Sequence, residues 1–132
     1  MKLRLLLFLS VFSLNSFGNV SDTIHVSHYN ISMDTMNYPV FQIKGMTELT
    51  VHAKLNNVNN ISLGLYFLVV DSVTSGGGQL NYSYDDTTIY IVPPTVLNAN
   101  DSVVLQVYYH GDPATDAQFG GFYFSGQYAF NI

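Results

Sequence analysis

Cysteine is absent from these 132 residues, and so is tryptophan. Without cysteine there is no disulfide scaffold, no thiolate nucleophile and no Cys-ligated metal. Charge is scarce as well: Asp, Glu, Lys and Arg together make up 10% of the chain, against about 25% in an ordinary soluble domain. Basic residues are the rarest of these, since beyond the first 18 positions only Lys44 and Lys54 remain against nine acids. Two lysines cannot neutralise a nucleic-acid backbone, which excludes that class of partner. What the chain has instead is apolar surface, with 48% hydrophobic residues, 10 Tyr and 9 Phe. So much apolar and aromatic content offsets the entropy of ordering and excludes a disordered chain. The length allows one domain.

The N-terminus is patterned as an address. Lys2 and Arg4 give a positive start, Leu5–Leu14 is almost purely apolar, and Ser16-Phe17-Gly18 places small residues at −3 and −1 of a cut after Gly18. Together these predict a secretory signal peptide over 1–18. The apolar run falls short of the roughly 20 residues a membrane-spanning helix needs. No cysteine follows it, which excludes a lipoprotein. The expected mature chain is 19–132, in a secreted, periplasmic or cell-surface setting.

From there the pattern is that of strands. Over 41–55, Phe41, Ile43, Leu49, Val51, Ala53 and Leu55 alternate with Gln42, Lys44, Glu48, Thr50, His52 and Lys54. Period-2 alternation sustained this long predicts an antiparallel strand with one buried and one wet face. Gly45 interrupts the apolar face and is expected at a bulge or bend. Ile24–Met33 alternates too, with Tyr29, Ile31 and Met33 on one side and Asp34–Pro39 as the turn that follows. Ile61, Leu63, Leu65, Phe67 and Val69 form another alternating set, entered through the polar turn 56–60. Ser75-Gly76-Gly77-Gly78 is a loop by composition. Leu80, Tyr82 and Tyr84 are placed to pair with Ile89 and Ile91 across Asp85-Asp86-Thr87, a hairpin. Pro93-Pro94 ends that unit, and Asn98–Asp101 turns into a last well-patterned strand, Val103–His110. No helix-period stretch occurs. Short strands at regular spacing predict an all-β antiparallel sandwich. The tail, Phe119–Ile132, is rich in glycine and aromatics and ends on Phe130-Asn131-Ile132, which raises the expectation of a domain cut short.

Catalytic signatures are missing from the sequence. The four histidines, His25, His28, His52 and His110, fall on predicted strands, and none belongs to an HExxH pair. His25 and His28, three apart on a strand, are expected on opposite faces. Asp85 and Asp86 suit a turn better than a glycosidase pair. Ser125-Gly126 lacks the preceding half of a nucleophile elbow. The triple glycine is followed by neither lysine nor helix and is no phosphate cradle. Asp112 and Asp116 suit a solvated loop better than calcium. Asn-x-Ser occurs at Asn19, Asn30, Asn60, Asn81 and Asn100, a match near chance in an Asn-rich chain. The residues alone therefore predict an exported β-sandwich with no catalytic residue, no bound cofactor and no metal ligand.

An ordered set of segments resembles the N-terminal domain of the M1 family of zinc metallo-aminopeptidases. His28-Tyr29-Asn30-Ile31-Ser32-Met33 is similar to the family's opening strand. Ile43-Lys44-Gly45-Met46-Thr47-Glu48-Leu49-Thr50-Val51 is similar to its second long strand. Val69-Val70-Asp71-Ser72-Val73 resembles the lead into the V-x-S-V-x-V segment. Asp101-Ser102-Val103 through Val107-Tyr108-Tyr109-His110-Gly111 resembles the last long strand and its Tyr-x-Gly exit. Gly120-Gly121-Phe122-Tyr123-Phe124-Ser125 resembles the G-(F/L)-Y-x-S signature. The match runs over about 24–130.

In that family the domain is a β-sandwich or saddle packed against a thermolysin-like domain that holds zinc, the catalytic Glu and the exopeptidase motif. None of those motifs is in this sequence, so the resemblance carries no catalytic or metal residue onto it. What it implies is a supporting domain, with a catalytic metallopeptidase domain in cis as its partner and zinc bound there. Phe119, Phe122, Tyr123, Phe124, Tyr128 and Phe130 are the expected docking surface. Phe122 and Phe124 suit the domain's own core equally well. Two other readings fit the composition: a free-standing carbohydrate- or surface-binding module using Tyr66, Tyr90 and Tyr108 as platforms, and a fibre subunit assembling by strand exchange. A chain with so few charges and unprotected strand edges is expected to be aggregation-prone.

Overall fold

The computed structural model describes residues 23–37, 42–113, 115–116, 120–125 and 128–131, with side chains over 23–34 and 42–113. The signal segment 1–18 lies outside the described residues. Eleven strands follow one another: β1 Ile24–Asn37, β2 Gln42–Ala53, β3 Ile61–Gly64, β4 Val69–Ser75, β5 Gly78–Gln79, β6 Tyr82–Tyr84, β7 Thr88–Ile91, β8 Ser102–Gly111, β9 Thr115–Asp116, β10 Gly120–Ser125 and β11 Tyr128–Asn131. They form a five-stranded sheet in the order β1-β2-β8-β4-β5, a three-stranded sheet β3-β7-β6 and a three-stranded sheet β11-β10-β9. Every described pairing is antiparallel, and no helix occurs among the described residues. The fold is all-β, as the periodicity requires.

Alternation builds the core. On β2 the odd residues Ile43, Leu49, Val51 and Ala53 are buried, and on β8 so are Val103, Leu105, Val107 and Tyr109. The register stacks these side by side, Leu49 opposite Leu105 and Val51 opposite Val103. A single residue of slip would turn the whole set to water, so the pairing is strongly specified. Ile61, Ile89 and Ile91 of the smaller β3-β7-β6 sheet close the same cluster. The two sheets are therefore the two layers of a sandwich, with Ile61, Ile91, Leu105, Val51 and Val73 wholly removed from solvent.

Tyrosines finish the packing with their rings inside and their hydroxyls satisfied. The Tyr82 hydroxyl donates to the Val70 carbonyl (3.2 Å) and that of Tyr84 to the Leu65 carbonyl (3.0 Å). Tyr109 Oη lies 3.1 Å from Thr47 Oγ1. Each hydroxyl thus crosses from one strand or loop to another, which is how a buried phenol avoids an unpaired polar atom.

Three local expectations are corrected. Ile61–Val69 is not one strand: β3 ends at Gly64, and β4, from Val69, joins the other sheet. Between them Phe67 adopts φ 57°, with its amide bonded to the Asp86 carbonyl (2.8 Å), so the chain changes layer where alternation would have carried it on. β1 runs through Asp34 to Asn37, beyond the predicted start of the turn. Nor is β2 bulged at Gly45. The register shifts lie in β1, between Val26 and His28 and between Met33 and Thr35. Gly45 is required for close approach, because a Cβ there would sit 2.7 Å from the Ser32 carbonyl oxygen.

The predicted turns at 56–60 and 98–101 form one clasp. Val58 and Leu97 exchange backbone hydrogen bonds of 2.8 and 2.9 Å. The Ala99 amide donates to Asn56 Oδ1 (3.0 Å), and the Asn98 amide donates to Asp101 Oδ2 (2.8 Å). Val58 and Leu97 are both buried and plug that end of the sandwich.

Candidate functional site

The histidines were the first candidates for chemistry, and the structure rearranges them. Ser27 is the extra residue of the first β1 bulge, so the phase of the strand slips by one. His25 pairs with His52 and His28 with Thr50, which puts all three histidines on the face of β2 turned away from the core. The expectation that His25 and His28 face opposite ways fails for that reason. The His25 and His52 rings stack with centroids 6.4 Å apart, and His52 Nε2 lies 2.9 Å from Ser27 Oγ. His110 is at the far end of the same face, its Nδ1 2.7 Å from Asp71 Oδ1. That pair borders an open groove of about 780 Å³ with Lys44 and Tyr108.

Two carboxylates, Glu48 and Asp85, are committed to structure. Glu48 Oε2 accepts from Gln106 Nε2 (2.9 Å), and Gln106 Oε1 accepts from Thr74 Oγ1 (3.1 Å), a polar ladder across β2, β8 and β4. Asp85 Oδ1 accepts from the Thr87 hydroxyl (2.7 Å) and from the Thr87 and Thr88 amides (3.0 and 2.7 Å). These bonds, that of the Thr87 hydroxyl first, hold the Asp85 carboxyl below its usual range. This is an aspartate capping its own turn. Its neighbour Tyr84 is shifted upward, first by burial and then by the charge of Asp86. Among the described residues no three His, Asp or Glu side chains are grouped to hold a metal ion. Zinc therefore finds no fitting donor set there.

Apolar groups remain as the most distinctive surface. Between the layers, Tyr29 and Ile31 of β1 and Tyr109 of β8 line a cavity of about 200 Å³ with Leu63 of β3 and Leu65. Tyr66 and Phe67 stand at the layer-changing loop, 61% and 66% exposed. Of the three tyrosines suited to a sugar platform, Tyr90 lies between buried Ile89 and Ile91 and Tyr108 between buried Val107 and Tyr109. They point out of opposite layers of the sandwich, so Tyr66, Tyr90 and Tyr108 cannot form one platform.

The expected aromatic docking set is placed in part. Phe119 lies outside the described residues. Phe122, Tyr123 and Phe124 belong to β10, and Tyr128 and Phe130 to β11, with Tyr123 in register with Phe130. Their side chains lie outside the described structure, as does that of Asp116 in the Asp112–Asp116 loop.

No known protein-family signature matches the chain, and no curated protein sequence matches it either. Solved structures do. A two-domain M1 zinc metallopeptidase bound to L-arginine superposes with a TM-score of 0.66 at 19% identity over 76% of this chain. The M1 zinc metallopeptidase of Deinococcus radiodurans gives 0.65 at 20% identity over 72%. The fold is that of a domain of M1 zinc metallopeptidases. Yeast LTA4 hydrolase in complex with bestatin is a more distant neighbour, at 0.57 and 14% identity over 74% of this chain. The chain spans only 25%, 22% and 15% of these three neighbours' lengths. At such identities the likeness is one of fold. It lies in strand order and packing, and none of the neighbours' chemistry comes with it.

Proposed function

We propose that this chain is the non-catalytic N-terminal scaffold domain of an exported M1-type zinc aminopeptidase. Residues 1–18 are its export signal and 19–132 its domain. The parent reaction is metal-dependent removal of N-terminal amino acids from peptides. Zinc and the catalytic Glu belong to a catalytic domain on polypeptide outside this sequence, against which the aromatic set Phe119, Phe122, Tyr123, Phe124, Tyr128 and Phe130 docks. A rigid sandwich beside such a site supports it and excludes bulky substrates from it.

One observation carries this reading. Nearly three-quarters of the chain superposes on M1 zinc metallopeptidases while accounting for about a quarter of them or less. The commitment of Glu48 and Asp85 to ladder and turn is consistent with a supporting role. The test is the coding sequence beyond codon 132. It should run in frame to HExxH with a further Glu downstream, and the product exported from cells should begin at Asn19. A stop codon followed by an unrelated gene overturns the scaffold reading.

A further inference from the structure

We propose that His25 and His52 form a two-imidazole site for a divalent transition-metal ion, Cu2+ ahead of Ni2+ or Zn2+, that bridges β1 to β2. This goes beyond the scaffold role and does not depend on it.

Register brings the two rings together. His25 and His52 are direct partners in the β1–β2 ladder, and residues opposed on one face hold their Cβ atoms about 4.5–5.5 Å apart. His25 is exposed and His52 half-buried, so an ion reaches both from solvent. The bulge at Ser27 supplies the aim. Its hydroxyl oxygen lies 2.9 Å from His52 Nε2, which turns that nitrogen across the gap toward β1. With metal–imidazole bonds of about 2.0–2.1 Å, two rings on one ion have centroids about 4.5 Å apart at a right angle and about 6.4 Å apart when opposed. The observed separation of 6.4 Å stands at the wide end of that range. A rotamer change of the exposed His25 ring narrows it.

The side chains also select the ion. All four histidines lie among the described residues and the chain has no cysteine, so the rest of the sequence holds no further imidazole or thiolate. His28 stands opposite Thr50, one row along, and His110 is engaged by Asp71 at 2.7 Å. Only His25 and His52 are direct partners. Two imidazoles fall short of the three or four protein donors of a zinc centre. Cu2+ is the first-row divalent ion that nitrogen ligands bind most tightly, and it is held by two imidazoles with water in its remaining positions. Such an ion fastens the start of β1 to the end of β2, and it does so in the folded chain alone. Binding therefore stabilises the fold by linkage.

The probe is Cu2+ carried by iminodiacetate, a chelate that leaves room for two adjacent nitrogens and keeps the ion from the amino terminus and backbone amides. Calorimetric titration of the full chain should show one site. His25→Gln and His52→Gln should each weaken it about tenfold or more, because the second contact of a chelating pair is intramolecular. His110→Gln should bind as wild type does. Pulsed electron paramagnetic resonance should count two imidazoles on the ion in wild type and one in either variant. The chelate should raise the thermal midpoint of wild type and leave those of the two variants unchanged. Metal-free His25→Gln should melt with wild type, its ring being exposed, so loss of binding there is not loss of fold. A wild-type chain with no saturable binding overturns the proposal, as does wild-type affinity in His25→Gln or His52→Gln. An equal loss in His110→Gln, a single coordinated imidazole in wild type, or tighter binding of the Ni2+ or Zn2+ chelate also overturns it.

Discussion

At Gly45 a single hydrogen atom decides how closely two strands run. A methyl group there would meet the Ser32 carbonyl oxygen at 2.7 Å and the Tyr109 ring at 3.4 Å, and backbone cannot rotate out of the way as a side chain can. Gly45→Ala should therefore cost about 1–3 kcal/mol, the usual range for overpacking. Gly64→Ala meets nothing nearer than 3.8 Å and should be neutral or slightly stabilising. Urea midpoints of the two variants make the comparison.

Asp85 and Tyr84 set opposite limits in pH. The folded carboxyl of Asp85 is held low by its turn bonds, so its contribution is present above the unfolded value of about 3.9 and is lost as pH falls through the folded one. Tyr84 is raised by burial, so its contribution is full below about pH 10 and is lost as pH climbs toward the folded value. The stability gap between wild type and Asp85→Ala should close in acid, and that between wild type and Tyr84→Phe in alkali. Denaturant midpoints across pH read both, and gaps that do not change with pH would contradict the assignments.

Elements show where alternation is a sufficient guide and where it is not. β2, β8 and the β6–β7 hairpin were legible because each has one apolar face and turn residues at its ends. The change of layer between β3 and β4 was not legible. Leu65 and Phe67 continue the period of Ile61 and Leu63, while the hydrogen bonds from their amides to the Thr87 and Asp86 carbonyls tie this backbone to a segment far along the chain. The histidine arrangement was hidden for a related reason, since a bulge inverts strand phase without leaving a composition signal. The Asn-rich turns were recognised one at a time, while their union is tertiary. Asn56→Ala removes the acceptor of the Ala99 amide and should cost about 1 kcal/mol. Amide exchange at Val58 and Leu97 should accelerate more than exchange at Leu105. Uniform acceleration would mean that the clasp is not a separate local unit.

For the whole molecule the question is whether two layers behave as one body. The cluster that joins them draws on β1, β2, β4 and β8 from one sheet and on β3 and β7 from the other, and no buried polar or charged residue interrupts it among the described residues. Neither sheet can lose the other without exposing its own apolar face, so the sandwich should unfold in a single transition. Ile91 is central to that dependence: it is fully buried and pairs with both Ile61 and Tyr82. Ile91→Ala should remove about 2–5 kcal/mol, whereas Val104→Ala on the outer face, 46% exposed, should stay within about 0.5 kcal/mol of wild type. With no tryptophan in the chain, the near-ultraviolet dichroism of the packed tyrosines, Tyr82, Tyr84 and Tyr109, reports on the interior, and the far-ultraviolet signal reports on the strands. In wild type and in Ile91→Ala the two signals should change at the same urea concentration, displaced together in the variant. If tyrosine packing melts first while strand signal persists, the layers are separable, and the small sheet is an attachment to the large one.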